Sequence, residues 1–391
     1  MSTEVDLYNY APVVKLLLLG ILIALPVLLW VWMRHKHASI AQRLRVLTIL
    51  TVFLTFDLTL FGAFTRLTDS GLGCPDWPGC YGMASPVGAK AQISAEQAAM
   101  PTGPVTHKKA WIEMIHRYFA SGVGALILVL AAASWMQRAK IAVNPLWPIA
   151  TLVWVCIQGA FGALTVTMKL FPAIVTMHLM GAMILLALLQ LQAVKYEQGA
   201  RDFAATQRMR IALIAGFALL ILQIALGGWV STNYAVLACT EFPMCQGAWV
   251  PPMDMKQGFE IWRELGQTGQ GTTIALPALT AIHVVHRMFA FLVFGVLGYA
   301  AWLLYKQGQK NSAAWIAGLL LWQLITGLSN VVLGWPLVAA VSHTGGAAGL
   351  VLVCMAALMR MRVSEAVVKK TSHLKLVKFG RANTISGGAN E

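Results

Sequence analysis

Histidines within apolar segments carry the chemistry that this sequence offers most clearly. His116 and His178 form one pair, and His286 and His343 form a second pair further along the chain. An ionisable side chain is costly inside a membrane-spanning helix and is therefore a candidate for function. Two imidazoles on separate helices can approach one iron from opposite faces, which is the geometry of axial haem ligation. The sequence therefore predicts two metal sites, each able to hold a haem iron.

Two pairs of cysteines precede the histidine pairs. Five residues separate Cys74 from Cys80, and five separate Cys239 from Cys245. Structural zinc sites usually space their ligands by roughly two to four residues, so disulfides are the better interpretation on an oxidising face of a membrane. Each bridge, Cys74–Cys80 and Cys239–Cys245, would either rigidify its loop or exchange electrons with a redox centre beneath it, and the sequence leaves both interpretations open.

The cysteines and histidines recur at a nearly constant offset. Both cysteines of the first copy and the second histidine of its pair recur 165 residues later in the chain. The first histidine of that pair recurs 170 residues later. Gln158, Gln223 and Gln323 each precede a glycine by four residues, which favours helix packing with an amide bond between helices. The offset predicts two parallel copies of one helical unit and therefore two copies of one site.

The two copies differ at one position beside the earlier histidine. The matching segments read Glu113-Met-Ile-His116-Arg117 and His283-Val-Val-His286-Arg287. Glu113 lies one helical turn from the histidine on the same face, so it can reach a ligand held there. We predict a catalytic role for Glu113, while the twin site holds a redox cofactor. A guanidinium near the outer face suits a haem propionate, which predicts cofactor binding by Arg117 and Arg287.

The elements that position these residues are membrane-spanning helices. Hydrophobic residues make up 58% of the 391-residue chain and charged residues only 11%, which excludes a soluble globular protein. We predict an all-α polytopic membrane protein in which two parallel-repeat four-helix transmembrane bundles follow one extra amino-terminal transmembrane helix. The predicted organisation is an extra helix at 1–40, a first half at 41–200, a second half at 201–360 and a basic tail at 361–391. Nine spans are predicted, at 12–33, 46–66, 112–136, 145–168, 172–194, 210–232, 278–305, 312–334 and 337–359.

The distribution of basic residues predicts the orientation of the chain. Most of the 29 Lys and Arg residues fall in alternate loops and in the tail, and basic loops are retained on the cytoplasmic side. The amino terminus and both cysteine loops are therefore predicted on the periplasmic face and the carboxyl terminus in the cytoplasm. This bias accounts for the net charge of +14 without nucleic acid, and membrane lipid is the predicted partner. The acidic start of the chain, unlike an Arg-rich transit peptide, favours a bacterial inner (plasma) membrane.

At these residues the sequence resembles the haem A synthase family of bacterial inner membranes and mitochondria. The likeness covers roughly residues 44–360 and rests on Glu113, on the histidine pairs and on two further motifs. The motifs are TRLTDSGLGCPDWPGC at 65–80 and Ser-His-Thr-Gly at 342–345. The resemblance implies two four-helix halves and an enzyme that oxidises a ring methyl (C8) of haem O to a formyl group through hydroxylated intermediates. The product would be haem A for cytochrome oxidase, with water as the source of oxygen.

The resemblance also implies a division of roles between the halves. His286 and His343 would hold a haem b cofactor, while His116 and His178 would flank the haem O substrate. A haem O synthase and an unidentified electron-transfer protein would be partners, and assembly as a homo-oligomer is compatible with the family. The alternative is a non-enzymatic di-haem membrane cytochrome that transfers electrons between quinol and an outer acceptor. The span at 12–33 is additional to the eight of the family and is expected to act as an anchor.

Overall fold

The computed structural model describes residues 11–197 and 202–363, which are mostly helical. The helices are α1 (Ala11–Arg34), α2 (Ile40–Leu67), α3 (Lys90–Ala99), α4 (His107–Met136), α5 (Leu146–Thr167), α6 (Pro172–Lys195), α7 (Gln207–Thr232), α8 (Met255–Gly258), α9 (Leu276–Lys306), α10 (Lys310–Val332) and α11 (Leu337–Arg360). Within the described residues, all of these except α3 and α8 are long and apolar enough to cross a membrane. The predicted nine spans and the all-α fold class are therefore confirmed.

Two of the spanning helices begin earlier than hydropathy predicts. α2 begins at Ile40 rather than at 46, and α4 begins at His107 rather than at 112. In each case a polar N-cap, Ser39 or Thr106, accepts a hydrogen bond at 3.2 Å from the backbone N–H three residues on. Such a cap satisfies a backbone donor of the first turn, so the helix extends beyond its apolar run.

Eight of the described helices pack as two four-helix groups. α2, α4, α5 and α6 surround one apolar core, and α7, α9, α10 and α11 surround another. The groups meet where α6 contacts α7 and α11 and where α2 contacts α11. Two parallel strands, β1 (Phe203–Ala205) and β2 (Met361–Val363), pair where the chain enters α7 and leaves α11. The cysteine loops follow α2 and α7 and therefore lie at the opposite end from the strands.

The additional helix α1 packs against α4 and α2. A Cβ atom built on Gly20 would lie 2.8 Å from backbone atoms of Ser121, and one built on Gly122 would lie 2.7 Å from Cγ2 of Ile23. These distances leave room for glycine alone, so the two helices approach closely at this crossing. α1 therefore supports α4, which contributes to the first candidate site.

An ion-pair cluster joins helix ends at the strand side of the molecule. The carboxylate of Glu197, just beyond α6, pairs with Arg45 of α2 at 3.0 Å and with Arg360 of α11 at 2.8 Å. One acidic side chain thus links the first four-helix group to the second. Residues 364–391 of the predicted basic tail lie outside the described residues.

Arg66 joins the two groups at the opposite end, beside the first cysteine loop. Its Nη2 donates to the Ser231 carbonyl at 2.7 Å, and its guanidinium lies 4.1 Å from the centroid of the Tyr234 ring. The Tyr234 hydroxyl donates to the carboxylate of Asp69, which also pairs with Arg66. Burial raises the pKa of Tyr234, so the phenol is a neutral donor at physiological pH. The cluster therefore fastens the end of α2 to the end of α7.

Candidate functional site

The disulfides Cys74–Cys80 and Cys239–Cys245 are both formed, as predicted. All four cysteines are buried. The second cysteine of each pair exchanges backbone hydrogen bonds with the residue three positions on, so each bridge closes a compact turn over its four-helix group. The interpretation of these cysteines as disulfides rather than as zinc ligands is confirmed.

Arg117 and Arg287 fasten the disulfide loops to α4 and α9. Each guanidinium donates to several loop carbonyl oxygens, at distances of 2.5 to 3.3 Å. The acceptors are the carbonyl oxygens of Asp76, Pro78 and Gly79 for Arg117, and of Cys239, Glu241 and Met244 for Arg287. These contacts give both arginines a positioning role in the loops, and their binding of haem propionates stays a prediction.

Glu113 is buried where α4 meets the first disulfide loop. Its Oε2 accepts a hydrogen bond from the backbone N–H of Cys74 at 2.8 Å. Its Oε1 accepts from Nη2 of Arg117 at 2.5 Å. The loop therefore orients one carboxylate oxygen and the next turn of α4 orients the other. A carboxylate held in this way can take a proton or stabilise a positive charge with little reorganisation.

His283 occupies the position in the second half that matches Glu113. It is also buried, and its Nε2 accepts a hydrogen bond from Nε of Arg287 at 3.1 Å. The contact with the arginine one turn on is therefore kept while the carboxylate is lost. At this position the first half therefore has a carboxyl group and the second half has an imidazole.

Each of the four histidines predicted to ligate haem packs against a glycine on a neighbouring helix. The pairs are His116 with Gly62, His178 with Gly162, His286 with Gly227, and His343 with Gly327. A Cβ atom on the glycine would lie 2.9 to 3.5 Å from Cε1 of the ring. Each glycine lies five residues before the last residue of its helix, about 7.5 Å along the axis, so the four contacts lie at one level beneath the cysteine loops. The Gln-x3-Gly spacing marks three of these glycines in the sequence, whereas Gly62 has no such signal.

The glutamines make the predicted bonds between helices, and their acceptors are the histidines themselves. Gln158 donates to the carbonyl oxygen of His178 at 2.6 Å, and Gln323 donates to that of His343 at 2.7 Å. Gln223 on α7 donates in the same way to the carbonyl oxygen of His286 on α9, at 3.1 Å. These contacts, which the sequence did not identify, set the position of the helix turn that carries each ring.

One of the four histidines has a hydrogen bond that leaves its Nε2 free for a metal. Nδ1 of His343 lies 2.9 Å from Oγ1 of Thr326, whose hydroxyl donates to the Trp322 carbonyl. The threonine oxygen therefore accepts from Nδ1–H, which leaves the lone pair of Nε2 for a metal. This tautomer is the one that ligates haem iron through Nε2.

Replacing Gly227 with alanine is expected to lower haem occupancy of the second site. The added Cβ would lie 2.9 Å from Cε1 of His286, and the ring cannot shift without losing its contact with Gln223. Haemochrome spectra of the purified protein measure the occupancy. Gly295→Ala on α9 is the matched control, because a Cβ there meets nothing within 4 Å. Equal occupancy in the two variants would contradict the tight contact.

Nine spanning helices in the described part of the chain, with two disulfide-bridged loops and four histidines packed against glycines beneath them, define a polytopic membrane protein. The cytochrome oxidase assembly protein family, COX15-CtaA, matches residues 45–355. The haem A synthase of Shewanella oneidensis is 39% identical over 308 residues, which are 78% of this chain and 92% of that protein. The haem A synthase of Halalkalibacterium halodurans is 26% identical over 312 residues, 77% of this chain and 91% of that protein. This chain belongs to the haem A synthase family.

The comparisons confirm the family resemblance drawn from the sequence motifs. The matched range begins at residue 45 and therefore leaves out α1. Glu113 and the four histidines all lie within it. The additional helix thus packs against helices of the matched range from outside that range.

Proposed function

We propose that this protein is a membrane enzyme that makes haem A from haem O for cytochrome oxidase. It oxidises the C8 methyl group of haem O to a formyl group through hydroxylated intermediates, and water supplies the oxygen. The observation that carries the proposal is the buried, oriented carboxylate of Glu113 one turn from His116, in a chain of the haem A synthase family. Family membership favours this activity over electron transfer by a di-haem cytochrome.

The two halves, residues 41–200 and 201–360, have different tasks in this proposal. His116 and His178 of the first half hold the iron of the haem O substrate. His286 and His343 of the second half hold haem b, which supplies one-electron transfer when bound. The glycine contacts shared by all four rings support two sites of one design. The replacement of a carboxylate by His283 supports a difference in chemistry between them.

Glu113 acts on the substrate methyl group in this proposal. Oxidation of a methyl group next to a porphyrin removes electrons and protons and leaves developing positive charge on the carbon. A nearby carboxylate stabilises that charge or takes up a proton. Arg117 and the backbone N–H of Cys74 hold the Glu113 carboxylate in one orientation, so it meets the substrate without a change of conformation. Loss of two electrons and one proton from the methyl group would leave a carbocation, to which water adds with loss of a second proton to give the alcohol. A further loss of two electrons and two protons gives the formyl group, and the proposed electron-transfer partner accepts the electrons.

We propose that the protein crosses a bacterial inner membrane several times. The amino terminus and both disulfide loops face the periplasm, and the carboxyl terminus faces the cytoplasm. The excess of basic residues in alternate loops supports this orientation. Haem O synthase, an electron-transfer protein and anionic lipid are the proposed partners.

Co-expression with a haem O synthase in a host that lacks haem A tests the proposed function. Haems are extracted from the purified protein and from the membranes and are identified by mass. Haem A, or its hydroxylated precursor, is the expected product. Recovery of only haem b and unmodified haem O, with two haems b per chain, would instead support the di-haem cytochrome.

A further inference from the structure

We infer that Arg263 binds a propionate of the haem in the second half, and that Arg287, the predicted propionate ligand, holds the disulfide loop instead. Arg263 lies in the segment between the second disulfide and α9. The inference rests on the proposed function, because it needs His286 and His343 to hold haem b. A haem brings two carboxylates as well as an iron to its site, and a guanidinium is the donor that suits a carboxylate best.

The side chain of Arg263 is turned into the protein. The residue is 2% exposed, whereas its neighbours Ile261 and Trp262 are 66% and 67% exposed. Its Nη1 donates to the Gln267 carbonyl at 3.1 Å, and its Nη2 donates to Oδ1 of Asn233 at 2.5 Å. Its Nε is buried and has no hydrogen-bond partner within residues 11–197 and 202–363. The guanidinium therefore keeps a buried donor that no described group accepts.

No carboxylate in the described part of the chain forms an ion pair with Arg263. Its two acceptors are uncharged amide oxygens. The charge of Glu260 acts on the arginine from a distance, but that carboxylate accepts the backbone N–H of Gly269 at 2.9 Å. Burial lowers the pKa of Arg263, yet a guanidinium stays protonated in proteins. A buried cation with uncharged partners is costly, and a bound carboxylate would offset that cost.

Arg263 lies near the second site, at the end of the helices that carries the disulfide loops. Its guanidinium lies 5.5 Å from the centroid of the Trp229 ring, and Trp229 follows Gly227 by two residues on α7. Trp229 belongs to one apolar cluster with Ile282 of α9. Ile282 precedes His286 by four residues and therefore lies one turn closer to the disulfide loop on the same helix face. The buried cation thus lies at the disulfide end of the second site.

Arg287 has fewer donors left for a propionate than Arg263 has. Its Nε donates to His283, its Nη1 donates to two loop carbonyl oxygens, and its Nη2 donates to a third. These contacts account for four of its five N–H groups, whereas Arg263 uses two within the described residues. A propionate on Arg287 would displace contacts that hold the disulfide loop, whereas a propionate on Arg263 would satisfy a donor that lacks a partner.

Haems with free and with esterified propionates test the inference. The full-length protein with His116→Ala and His178→Ala, which leaves the second histidine pair alone, is prepared without haem and titrated with protohaem and with protohaem dimethyl ester. From the usual strength of a hydrogen bond to a charged group, protohaem is expected to bind about 10- to 100-fold more tightly than the ester. Adding Arg263→Gln is expected to reduce that preference by about the same factor.

The two ligands also separate propionate binding from a role in the loop alone. A role in the loop predicts that Arg263→Gln weakens both haems equally, and this result would overturn the inference, as would unchanged binding of both. Propionate binding predicts weaker binding of protohaem only. Lys256→Gln is the charge-matched control, because it removes a cation from an exposed position of the same segment and is expected to keep the preference. Loss of the preference in Arg287→Gln, with none in Arg263→Gln, would return the propionate to Arg287.

The reduction potential of the bound protohaem is a second readout. A guanidinium beside the haem disfavours the additional positive charge of the ferric form, so Arg263→Gln is expected to lower the potential. Arg263→Lys keeps the charge and is expected to stay closer to the parent value, and Lys256→Gln is expected to leave the potential unchanged. A potential in Arg263→Gln equal to that of Lys256→Gln would contradict the inference.

Haem A formation by the parent protein, measured separately, distinguishes failure of this inference from failure of the proposed function. If haem A forms but Arg263→Gln keeps the preference for protohaem, the inference is wrong and the proposed function stands. If no haem A forms and Arg263→Gln loses the preference, the proposed function is wrong and Arg263 still binds the propionate. If the second histidine pair binds no haem, the cofactor assignment and the inference are both wrong.

Discussion

Glu113→Gln is expected to abolish haem A formation while both histidine pairs keep their haem. The amide has nearly the size of the carboxylate and can still accept the N–H of Cys74, but it carries no charge and binds no proton. General acid–base groups contribute roughly 10²- to 10⁴-fold to a rate, so product formation should fall by about 100-fold or more. Mass analysis of extracted haems measures the product, and reduced-minus-oxidised spectra measure the haem that remains bound.

The contacts of Glu113 also allow a purely structural role, which the same variant distinguishes. The carboxylate joins α4 to the first disulfide loop through Cys74 and Arg117. A structural role predicts that Glu113→Gln loosens this loop, with faster proteolysis between residues 68 and 106, lower haem content and unchanged turnover per bound haem. That result would contradict the catalytic assignment. His283→Gln, at the matching position of the second half, is the control and is expected to leave haem A formation intact.

The spanning helices were predictable because a membrane requires long apolar runs, and hydropathy detects such runs directly. Their ends were less predictable. Ser39 and Thr106 begin α2 and α4 several residues before the apolar segments, since a capped polar turn forms in the interface without contributing to hydropathy. The disulfides were predictable for a different reason, because two cysteines five residues apart on a face predicted to be oxidising fit a disulfide better than a zinc site.

The surroundings of Glu113 could not be predicted from the sequence. Its partner Cys74 lies 39 residues earlier, and a loop and α3 intervene. No periodicity relates the backbone N–H of a loop to a side chain on a distant helix. The same reason explains Arg117: residue type suggested a propionate partner, whereas the fold surrounds the guanidinium with carbonyl oxygens of the cysteine loop.

The contacts of the histidines depend on how each helix is rotated against its neighbour. Hydropathy shows that α5 crosses the membrane, but it does not show that Gly162 faces His178. The Gln-x3-Gly spacing was visible and was correctly associated with bonds between helices. Its acceptor became identifiable only with the fold, because Gln158 reaches the carbonyl of a histidine on α6.

His343→Ala is expected to remove stable haem from the second site. The ring is oriented from α10 by Thr326 and Gln323, so its loss removes the ligand while its partners stay in place. A single remaining axial histidine binds haem more weakly, and the spectrum should change from low-spin to high-spin as the haem content falls from one per site to a small fraction. Haemochrome analysis and reduced-minus-oxidised spectra measure both changes. Thr344→Val is the matched control on the same helix, because its hydroxyl bonds within α11 to the Ala340 carbonyl.

His286→Ala should reproduce the loss, because the two rings are proposed to hold one iron from opposite helices. The expected consequence for function is specific: haem O supplied to either variant still binds in the first half, but haem A does not accumulate, since electrons taken from the substrate have no cofactor to receive them. An unchanged haem b content and spectrum in either variant would contradict the cofactor assignment. If His343→Ala loses haem b and His286→Ala does not, His343 alone holds the iron of the second site. The similar glycine contacts of the four histidines would then have a cause other than ligation by both rings of each pair.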